Sequence, residues 1–417
     1  MRVRLWIAAV LACLLMPGMG EARPASLAID APADGSAPSL AIVATLVAPP
    51  VAKAPDTESL IDYLWVVRTS LVEPEDVPRI VERAREMGAR GLLVQVVGRG
   101  DAWYRSDLLP PPEAIADKTR DPLGELLPLA HAAGLEVHAW MNACLVWSAD
   151  HRPRDPRHVV NMHPEWIARM SDGRSMLSLS RPARERLQVE GVFLSPAHPG
   201  VRTHLARVAQ EIASRYPIDG LHLDYIRQPS IAVGFDATSR SRFALEHGAD
   251  PSMFSRLPAS ERAAKEQAWE RFQREQVTAI VREVRDSVAR VRPGLSLSAA
   301  VLADTLSAQR RNRQSWSEWL RSGLLDRAFP MCYAPPVQTV LDQLVAMSAQ
   351  FGVDRVVPGI AVYNASAAAA AAKIKGARAL GYPAVALYSY DSLFERADLW
   401  ARLRELLAPR SSLEVSP

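Results

Sequence analysis

The chain has 417 residues, and its 49 Lys and Arg against 46 Asp and Glu give a formal net charge of +3. A hydrophobic content of 48% excludes a polytopic membrane protein and a wholly disordered chain. Three cysteines exclude a disulfide scaffold, and the alternation of acidic with basic residues in the predicted helices disfavours nucleic acid as a partner.

The N-terminal residues 1–22 are typical of a secretory signal peptide. A basic start is followed by an apolar run over residues 5–16, and that run is too short to form a permanent membrane span. We therefore predict export to the periplasm or cell envelope. Lipid attachment at Cys13 is disfavoured because the apolar run continues beyond this cysteine.

Three segments follow the signal peptide. Residues 23–58 are rich in Ala and Pro and have no sustained period, so we predict a linker. Residues 59–409 form one domain in which short apolar runs alternate with amphipathic helical patterns, and residues 410–417 are a tail. The runs are apolar through their middle, as expected for strands buried on both faces of a parallel sheet. They cover residues 63–70, 91–98, 136–145, 220–228, 295–303, 327–334, 355–363 and 383–391.

Eight strand-helix repeats predict an α/β fold, a (β/α)8 TIM barrel with long loops after strands three and four. Those loops cover residues 146–199 and 229–260, and loops of this length in a compact domain are usually functional. A dinucleotide-binding fold has a Gly-rich phosphate loop after its first strand. In this chain the segment 68–71 at that place contains no glycine. An open doubly wound sheet, which would show the same alternation of strands and helices, is therefore disfavoured, and we predict no cofactor.

Active sites of TIM barrels lie at the C-terminal ends of the strands, which makes strand four informative. Its period of two places His222 and Asp224 on one face, pointing into the barrel mouth. A carboxylate inside a barrel is costly unless it is paired or used, and Arg227 and His222 are natural partners. We predict that Asp224 is a catalytic carboxylate.

The other strand ends supply Arg, Gln, Asn, Asp and Tyr, the residue types that bind polyhydroxylated ligands. The aromatic residues of the rim loops, which are Trp103, Tyr104, Trp147 and Trp166, offer apolar surfaces for stacking on sugars. Polar groups also occur at His138, Tyr363, Asn364 and Tyr388. The predicted substrate-binding residues are Arg68, Gln95, Asn142, His222, Tyr225, Arg227, Tyr333, Tyr390 and Asp391.

The segment Gly220-Leu221-His222-Leu223-Asp224-Tyr225-Ile226-Arg227 resembles the central block of the glycosyl-hydrolase-like 10 family of bacterial cell-envelope proteins. Further similar segments cover residues 137–142, 163–166, 194–202 and 330–333. The resemblance implies a barrel that acts on bacterial cell-wall glycan, with some members resembling hydrolases of peptidoglycan strands stripped of stem peptides. Ser195 departs from the family pattern, which often has Asp there, and this removes a possible carboxylate.

A glycoside hydrolase needs two carboxyl groups, one to protonate the leaving oxygen and one that is ionised. With Asp224 as the first, we predict Asp304 at the end of the next strand as the second. Asp391, Asp101 and Glu165 are the alternatives. We predict a polysaccharide substrate.

Two other functions stay open at this point. A glycan-binding barrel without catalysis is compatible with the uncertain second carboxylate. A metal-dependent amidohydrolase or deacetylase is suggested by His138, His222 and Asp224, but strand one lacks the His-x-His pair of such barrels, so we predict no metal. Cys144 and Cys332 fall on strands too far apart for a disulfide and are predicted to be free thiols.

Overall fold

A computed structural model describes residues 60–396 and 398–408 of the chain. The predicted signal peptide, Cys13, the linker and the C-terminal tail lie outside the described residues. Within the described ranges, every helix is too short or too polar to span a bilayer.

Eight parallel strands close into a barrel, which confirms the predicted fold. They follow one another around the barrel in chain order, so that the last strand pairs with the first. The barrel strands are β1 (Tyr63–Val66), β2 (Gly91–Val97), β3 (Glu136–Asn142), β6 (Gly220–Asp224), β7 (Ser296–Leu302), β8 (Arg327–Cys332), β9 (Gly359–Ala361) and β10 (Ala386–Tyr388). A separate antiparallel pair consists of β4 (Leu145–Trp147) and β5 (Val192–Phe193).

Helices surround the barrel and cover its outer face. In the first of them, α1, the stripe of Val77, Ile80, Val81 and Ala84 is buried, as an amphipathic pattern predicts. The helices are α1 (Asp76–Glu86), α2 (Pro122–Ala132), α3 (Val159–Met162), α4 (Arg181–Leu187), α5 (Pro199–Arg215), α6 (Ala237–His247), α7 (Ala259–Val291), α8 (Thr305–Asn312), α9 (Trp316–Arg321), α10 (Val337–Phe351), α11 (Ala367–Ala379), α12 (Tyr390–Phe394) and α13 (Leu399–Leu407).

The first and last barrel strands are shorter than the sequence predicts. The first ends at Val66, because Arg68–Leu71 forms a 3-10 turn. The last ends at Tyr388, because the Ser389 side chain accepts a hydrogen bond from the Ser392 amide and starts α12. Polar residues at these strand ends therefore lie on turns rather than on strand faces.

The barrel interior is filled with side chains and forms a solid floor under the mouth. Trp65 and Phe329 pack there with ring centroids 5.8 Å apart. His222 is fully buried beside them, as the period-two pattern predicts. Its Nε2 accepts a hydrogen bond from Trp65 Nε1 at 3.2 Å, and its Nδ1 lies 2.9 Å from Ser298 Oγ.

The two long loops predicted after strands three and four are present and carry their own structure. The first contains β4, β5, α3 and α4, and the second contains α6 and the 3-10 helix Pro251–Arg256 before α7 begins. Ser195 of the first loop donates a hydrogen bond to Asp236 Oδ2 of the second at 2.7 Å, and both residues are buried. Ser195 therefore joins the two loops.

Cys144 and Cys332 are both buried free thiols, as predicted. Burial raises the pKa of each thiol to about 12. Both side chains are therefore neutral and act as small core residues.

Candidate active site

Asp224 is the last residue of β6 and lies in the mouth of the barrel. It is 8% exposed and pairs in register with Asn142, the last residue of β3. The Tyr225 amide donates to Asp224 Oδ1 at 2.6 Å. Tyr225 itself has a φ of +49°, a left-handed conformation that non-glycine residues rarely adopt. The backbone at the end of β6 is therefore held in an uncommon geometry next to the carboxylate.

Burial is the main reason why the pKa of Asp224 is raised to about 6. The negative charge of Glu190 raises this pKa further, whereas the Tyr225 amide and the positive charge of Arg227 lower it. A carboxyl group with this pKa can both hold and release a proton near neutral pH, as a general acid or base must.

The sequence predicts Arg227 as a partner of Asp224. In the structure Arg227 instead forms an ion pair with Glu190. Arg227 Nη2 donates to Glu190 Oε1 at 2.6 Å, and both side chains are largely buried. The guanidinium also lies over the Tyr225 ring, 5.0 Å from its centroid. Glu190 precedes β5 and belongs to the loop after strand three.

A chain of hydrogen bonds runs along the ends of β1, β2 and β3 beside Asp224. Arg68 Nη1 donates to Gln95 Oε1 at 2.8 Å, and Gln95 Nε2 donates to Asn142 Oδ1 at 3.3 Å. Trp140 Nε1 donates to the same Asn142 oxygen at 3.0 Å. The structure thus brings together three of the predicted substrate-binding residues at one side of the mouth.

Three tyrosines from β8, β9 and β10 or the residues that follow them form the other side of the mouth. Tyr333 stacks on Tyr388, with ring centroids 5.4 Å apart and planes inclined by 29°. Tyr363 meets both rings edge-on at 6.1 Å. Burial is the main reason why the pKa values of Tyr333 and Tyr388 are raised, and the charge of Asp224 raises both further.

Asp391 lies across the barrel from Asp224, since β10 and β6 are four strands apart around the closed sheet. It accepts a hydrogen bond from Ser70 Oγ, and its Oδ2 is buried with no hydrogen-bond partner among the described residues. Burial raises its pKa. The charges of Asp224 and Asp391 both raise the pKa of Tyr388, after the larger effect of burial.

Three predicted site residues have other roles in the structure. Asp304 is exposed, and its Oδ1 accepts a hydrogen bond from the Ser307 amide as the N-cap of α8. Its role as second carboxylate stays a prediction without structural support. His222 lies below the mouth with both ring nitrogens occupied, so it forms the floor. Tyr390 accepts a hydrogen bond from Arg83 of α1 at 3.0 Å, which places its hydroxyl in the helix layer.

The two remaining candidate carboxylates also have local partners. Asp101 is buried and accepts a hydrogen bond from the Arg99 amide at 2.9 Å. Glu165 is exposed and pairs with His163 at 3.0 Å. Both therefore stabilise the loops to which they belong.

The rim aromatics do not offer free faces for a sugar. Trp103, Tyr104 and Trp147 are each at most 5% exposed. Trp166 stacks on His163 with centroids 3.8 Å apart, and a Cβ at Gly200 would lie 2.6 Å from its ring. The expectation that these aromatics stack on sugars is therefore wrong, because they hold the loops against the barrel.

His138 lies near the opposite, N-terminal end of the barrel. Its Nε2 is 3.2 Å from Glu136 Oε2, and its ring meets Tyr63 edge-on at 5.6 Å. In residues 60–396 and 398–408, no group of three or more His, Cys, Asp or Glu side chains is placed to hold a metal ion.

Sequence reasoning missed Glu190 and gave Tyr388 no assigned role. Glu190 lies in a loop without periodicity, and 37 residues separate it from Arg227. No local sequence pattern therefore predicts their contact. The period of two does not distinguish Tyr388, at the end of the last strand, from Tyr390 two residues later. The mouth as built contains a protonatable carboxylate, hydroxyl and amide groups, and aromatic faces, which together suit acid catalysis on a sugar.

The chain is similar to known glycosyl hydrolases. The model of the family described as glycosyl hydrolase-like 10 matches residues 65–371. Glycosyl hydrolase DigH of Escherichia coli strain K12 is 23% identical over 320 residues, covering 67% of this chain and 64% of DigH. Glycosyl hydrolase YngK of Bacillus subtilis strain 168 is 20% identical over 228 residues, covering 53% of this chain and 38% of YngK. The chain thus spans less than two thirds of the length of these curated relatives.

Solved structures share the fold at low sequence identity. The glycoside hydrolase domain of PgaB from Bordetella bronchiseptica has a TM-score of 0.62 and 16% identity, covering 84% of this chain and 99% of that domain. A β-galactosidase from the psychrophilic Marinomonas ef1 has a TM-score of 0.55 and 13% identity, covering 79% of this chain and 54% of that one. Both likenesses show the same barrel architecture.

Proposed function

Since the chain belongs to the glycosyl hydrolase-like 10 family, we propose that it is a glycoside hydrolase that cleaves a bacterial cell-wall glycan, either peptidoglycan strands or a related polysaccharide. The observation that carries the proposal is the position of Asp224. It is a buried carboxyl group in the barrel mouth with a pKa raised to about 6, surrounded by groups that suit sugar binding.

In the proposed reaction, Asp224 is the general acid. Its carboxyl proton passes to the glycosidic oxygen as the bond between this oxygen and the anomeric carbon breaks. Asp391, on the opposite side of the mouth, is the second carboxylate and stabilises the positive charge that develops on the sugar ring. Water then forms a bond to the anomeric carbon, and the proton that it loses passes to the Asp224 carboxylate, which restores the acid. The hydroxyls of the tyrosine cluster Tyr333, Tyr363 and Tyr388 orient the sugar between the two carboxyl groups.

The choice of Asp391 over Asp304 rests on two contrasts. Asp391 is half-buried, and its charge and that of Asp224 both act on Tyr388, whereas Asp304 is exposed and caps a helix. Asp391 Oδ2 also has no hydrogen-bond partner within the described part of the chain, which leaves one oxygen for a bound sugar or water.

The substrate class and the cellular location rest on the sequence. The similarity of residues 220–227 to the central family block supports a cell-wall glycan. The arrangement of residues 1–22 supports export, which brings the enzyme to the compartment where this glycan is found. The polar groups of Gln95, Asn142 and Arg68 supply hydrogen bonds for a polyhydroxylated chain.

The test is an incubation of the chain from residue 23 with purified peptidoglycan glycan strands, carrying or lacking stem peptides, followed by mass analysis of the products. We expect shortened strands with new reducing ends. Release of acetate with intact strands would instead identify a deacetylase. Strand binding without any product would identify a glycan-binding barrel, and either outcome contradicts the proposal.

A further inference from the structure

We propose that Glu190 and Arg227 form a charge-balancing pair that sets the proton affinity of Asp224, which makes both of them positioning residues for the reaction. The catalytic meaning of this pair rests on the proposed function, whereas its effect on Asp224 does not.

The pair is buried and joins two separate parts of the chain. Arg227 follows Asp224 by three residues on the loop after β6, and Glu190 precedes β5 in the loop after strand three. Arg227 Nη2 lies 2.6 Å from Glu190 Oε1, and the two side chains are 9% and 12% exposed. The charges of both residues therefore act through protein rather than through bulk water.

Stability does not explain why the pair is buried. Removing two charges from water costs several kcal/mol, and an apolar pair of similar volume is often as stable. The geometry is also incomplete, because Glu190 Oε2 and Arg227 Nε are buried without a hydrogen-bond partner in the described residues. A pair that satisfies only part of its hydrogen-bonding capacity suggests a role in setting local charge.

The pair contacts the residue next to Asp224: the Arg227 guanidinium lies 5.0 Å from the centroid of the Tyr225 ring, and the Tyr225 amide donates to Asp224 Oδ1 at 2.6 Å. The positive charge of Arg227 favours the ionised form of Asp224, and the negative charge of Glu190 disfavours it. The other titratable groups facing Asp224 are the hydroxyls of Tyr225, Tyr333 and Tyr388, whose pKa values are raised by burial, so they are neutral. Burial raises the pKa of Asp224 most, and Glu190 and Arg227 are the charged neighbours that shift it further in opposite directions.

Each partner can be neutralised separately because Gln resembles Glu in shape and can replace Arg as a hydrogen-bonding side chain. Glu190→Gln leaves the positive charge unbalanced, which lowers the pKa of Asp224. Arg227→Gln leaves the negative charge unbalanced, which raises it. For charges several ångströms apart at an effective dielectric constant near 20, each shift is about one pKa unit. The double variant restores a neutral pair and a pKa close to that of the unaltered protein.

The experiment is a ¹³C NMR titration of the side-chain carboxyl carbons in the whole chain labelled with ¹³C-aspartate. The resonance of Asp224 is identified by its absence in Asp224→Asn. The matched control is Asp250→Asn, which removes the charge from the partly exposed Arg240–Asp250 ion pair on the second long loop. We expect the control to leave the titration of Asp224 unchanged.

The proposal predicts shifts of opposite sign in Glu190→Gln and Arg227→Gln, and their cancellation in the double variant. A pKa of Asp224 that changes by less than about 0.3 units in folded Glu190→Gln would overturn it. If Arg227→Gln does not fold, the titration of Asp224 in Glu190→Gln is sufficient to test the proposal. Opposite shifts in a protein that cleaves no glycan would support the pair and contradict the proposed hydrolase, so the two failures are distinguishable.

Discussion

Trp65 Nε1 donates a hydrogen bond to His222 Nε2 across the barrel, with the two nitrogens 3.2 Å apart, and this bond joins the first strand to the strand that carries Asp224. Both side chains are fully or almost fully buried. Burial lowers the pKa of His222 well below its usual range, so the ring is neutral and its Nε2 can accept this bond.

Removal of this acceptor is expected to destabilise the barrel. His222→Phe keeps a ring of similar size but leaves the Trp65 indole N–H buried without a partner, at a cost of about 1–3 kcal/mol in the free energy of unfolding. Denaturant unfolding measures the loss. As a control, His247→Phe changes a histidine whose side chain stacks on Phe243, and it should change stability by less than about 0.5 kcal/mol.

The ionised form of Asp224 is expected to cost stability at neutral pH. Its pKa in the folded chain, about 6, lies above the ordinary value of 3.8, so charging this group disfavours the folded state. The cost is absent below pH 4, develops between pH 4 and 6, and is complete above pH 6. Asp224→Asn should therefore raise the free energy of unfolding by about 3 kcal/mol at pH 7.5 and leave it unchanged at pH 3.5. If Asp224→Asn changed the free energy of unfolding equally at both pH values, ionisation of Asp224 would not destabilise the folded chain.

The reaction rate should depend on the same ionisation. A general acid must carry its proton, so kcat/KM should fall tenfold per pH unit as the pH rises above about 6, the pKa of Asp224. The measurement is the hydrolysis rate of glycan strands from pH 4 to 9 at constant ionic strength. A rate that instead increases through pH 6 would assign Asp224 the role of an ionised group.

The two candidates for the second carboxylate can be compared directly. Asp391→Asn removes the carboxylate at the mouth and should lower kcat by at least about a hundredfold, the usual minimum contribution of a positioned acid or base. Asp304→Asn should retain the rate within about twofold, because Asn is as good an N-cap as Asp. Loss of activity in the Asp304 variant alone would support the choice made from the sequence.

Tyr388 and Tyr390 are close in the sequence but lie in different places, the first at the mouth and the second in the helix layer. Tyr388→Phe removes a hydroxyl from the tyrosine side of the mouth, where its ring stacks on Tyr333, and should raise KM or lower kcat about tenfold. Tyr390→Phe removes the hydrogen bond from Arg83 and should cost about 1 kcal/mol of stability without changing the kinetics. Steady-state kinetics and thermal unfolding of both variants check this contrast. Equal kinetic losses would contradict the placement of Tyr390 outside the mouth.

The fold was predictable because each barrel strand is buried on both faces and therefore reads as a short apolar run. The inward direction of Asp224 followed from its spacing to His222 within one regular strand, and the structure has both side chains on the inner face. Periodicity works where the backbone is regular, and β6 is regular up to Asp224.

The rest of the site depends on contacts and chain turns that no local pattern encodes. Tyr388 and Tyr390 are two residues apart, yet α12 begins at Tyr390 and turns its side chain toward Arg83. The sequence places Asp304 at the end of a strand. In the structure its side chain accepts a hydrogen bond from the Ser307 amide, so Asp304 caps the start of a helix. Glu190 reaches Arg227 only because the loop after strand three folds back through β5.

The central claim is that Asp224 is the catalytic acid of a glycoside hydrolase, and the most direct measurement is the rate of glycan-strand cleavage by the unaltered chain and by Asp224→Asn. The variant keeps the size of the side chain and the Glu190–Arg227 pair. We predict that it binds the strands with unchanged affinity and cleaves them at least a thousandfold more slowly. Cleavage at the same rate by the variant would contradict the claim.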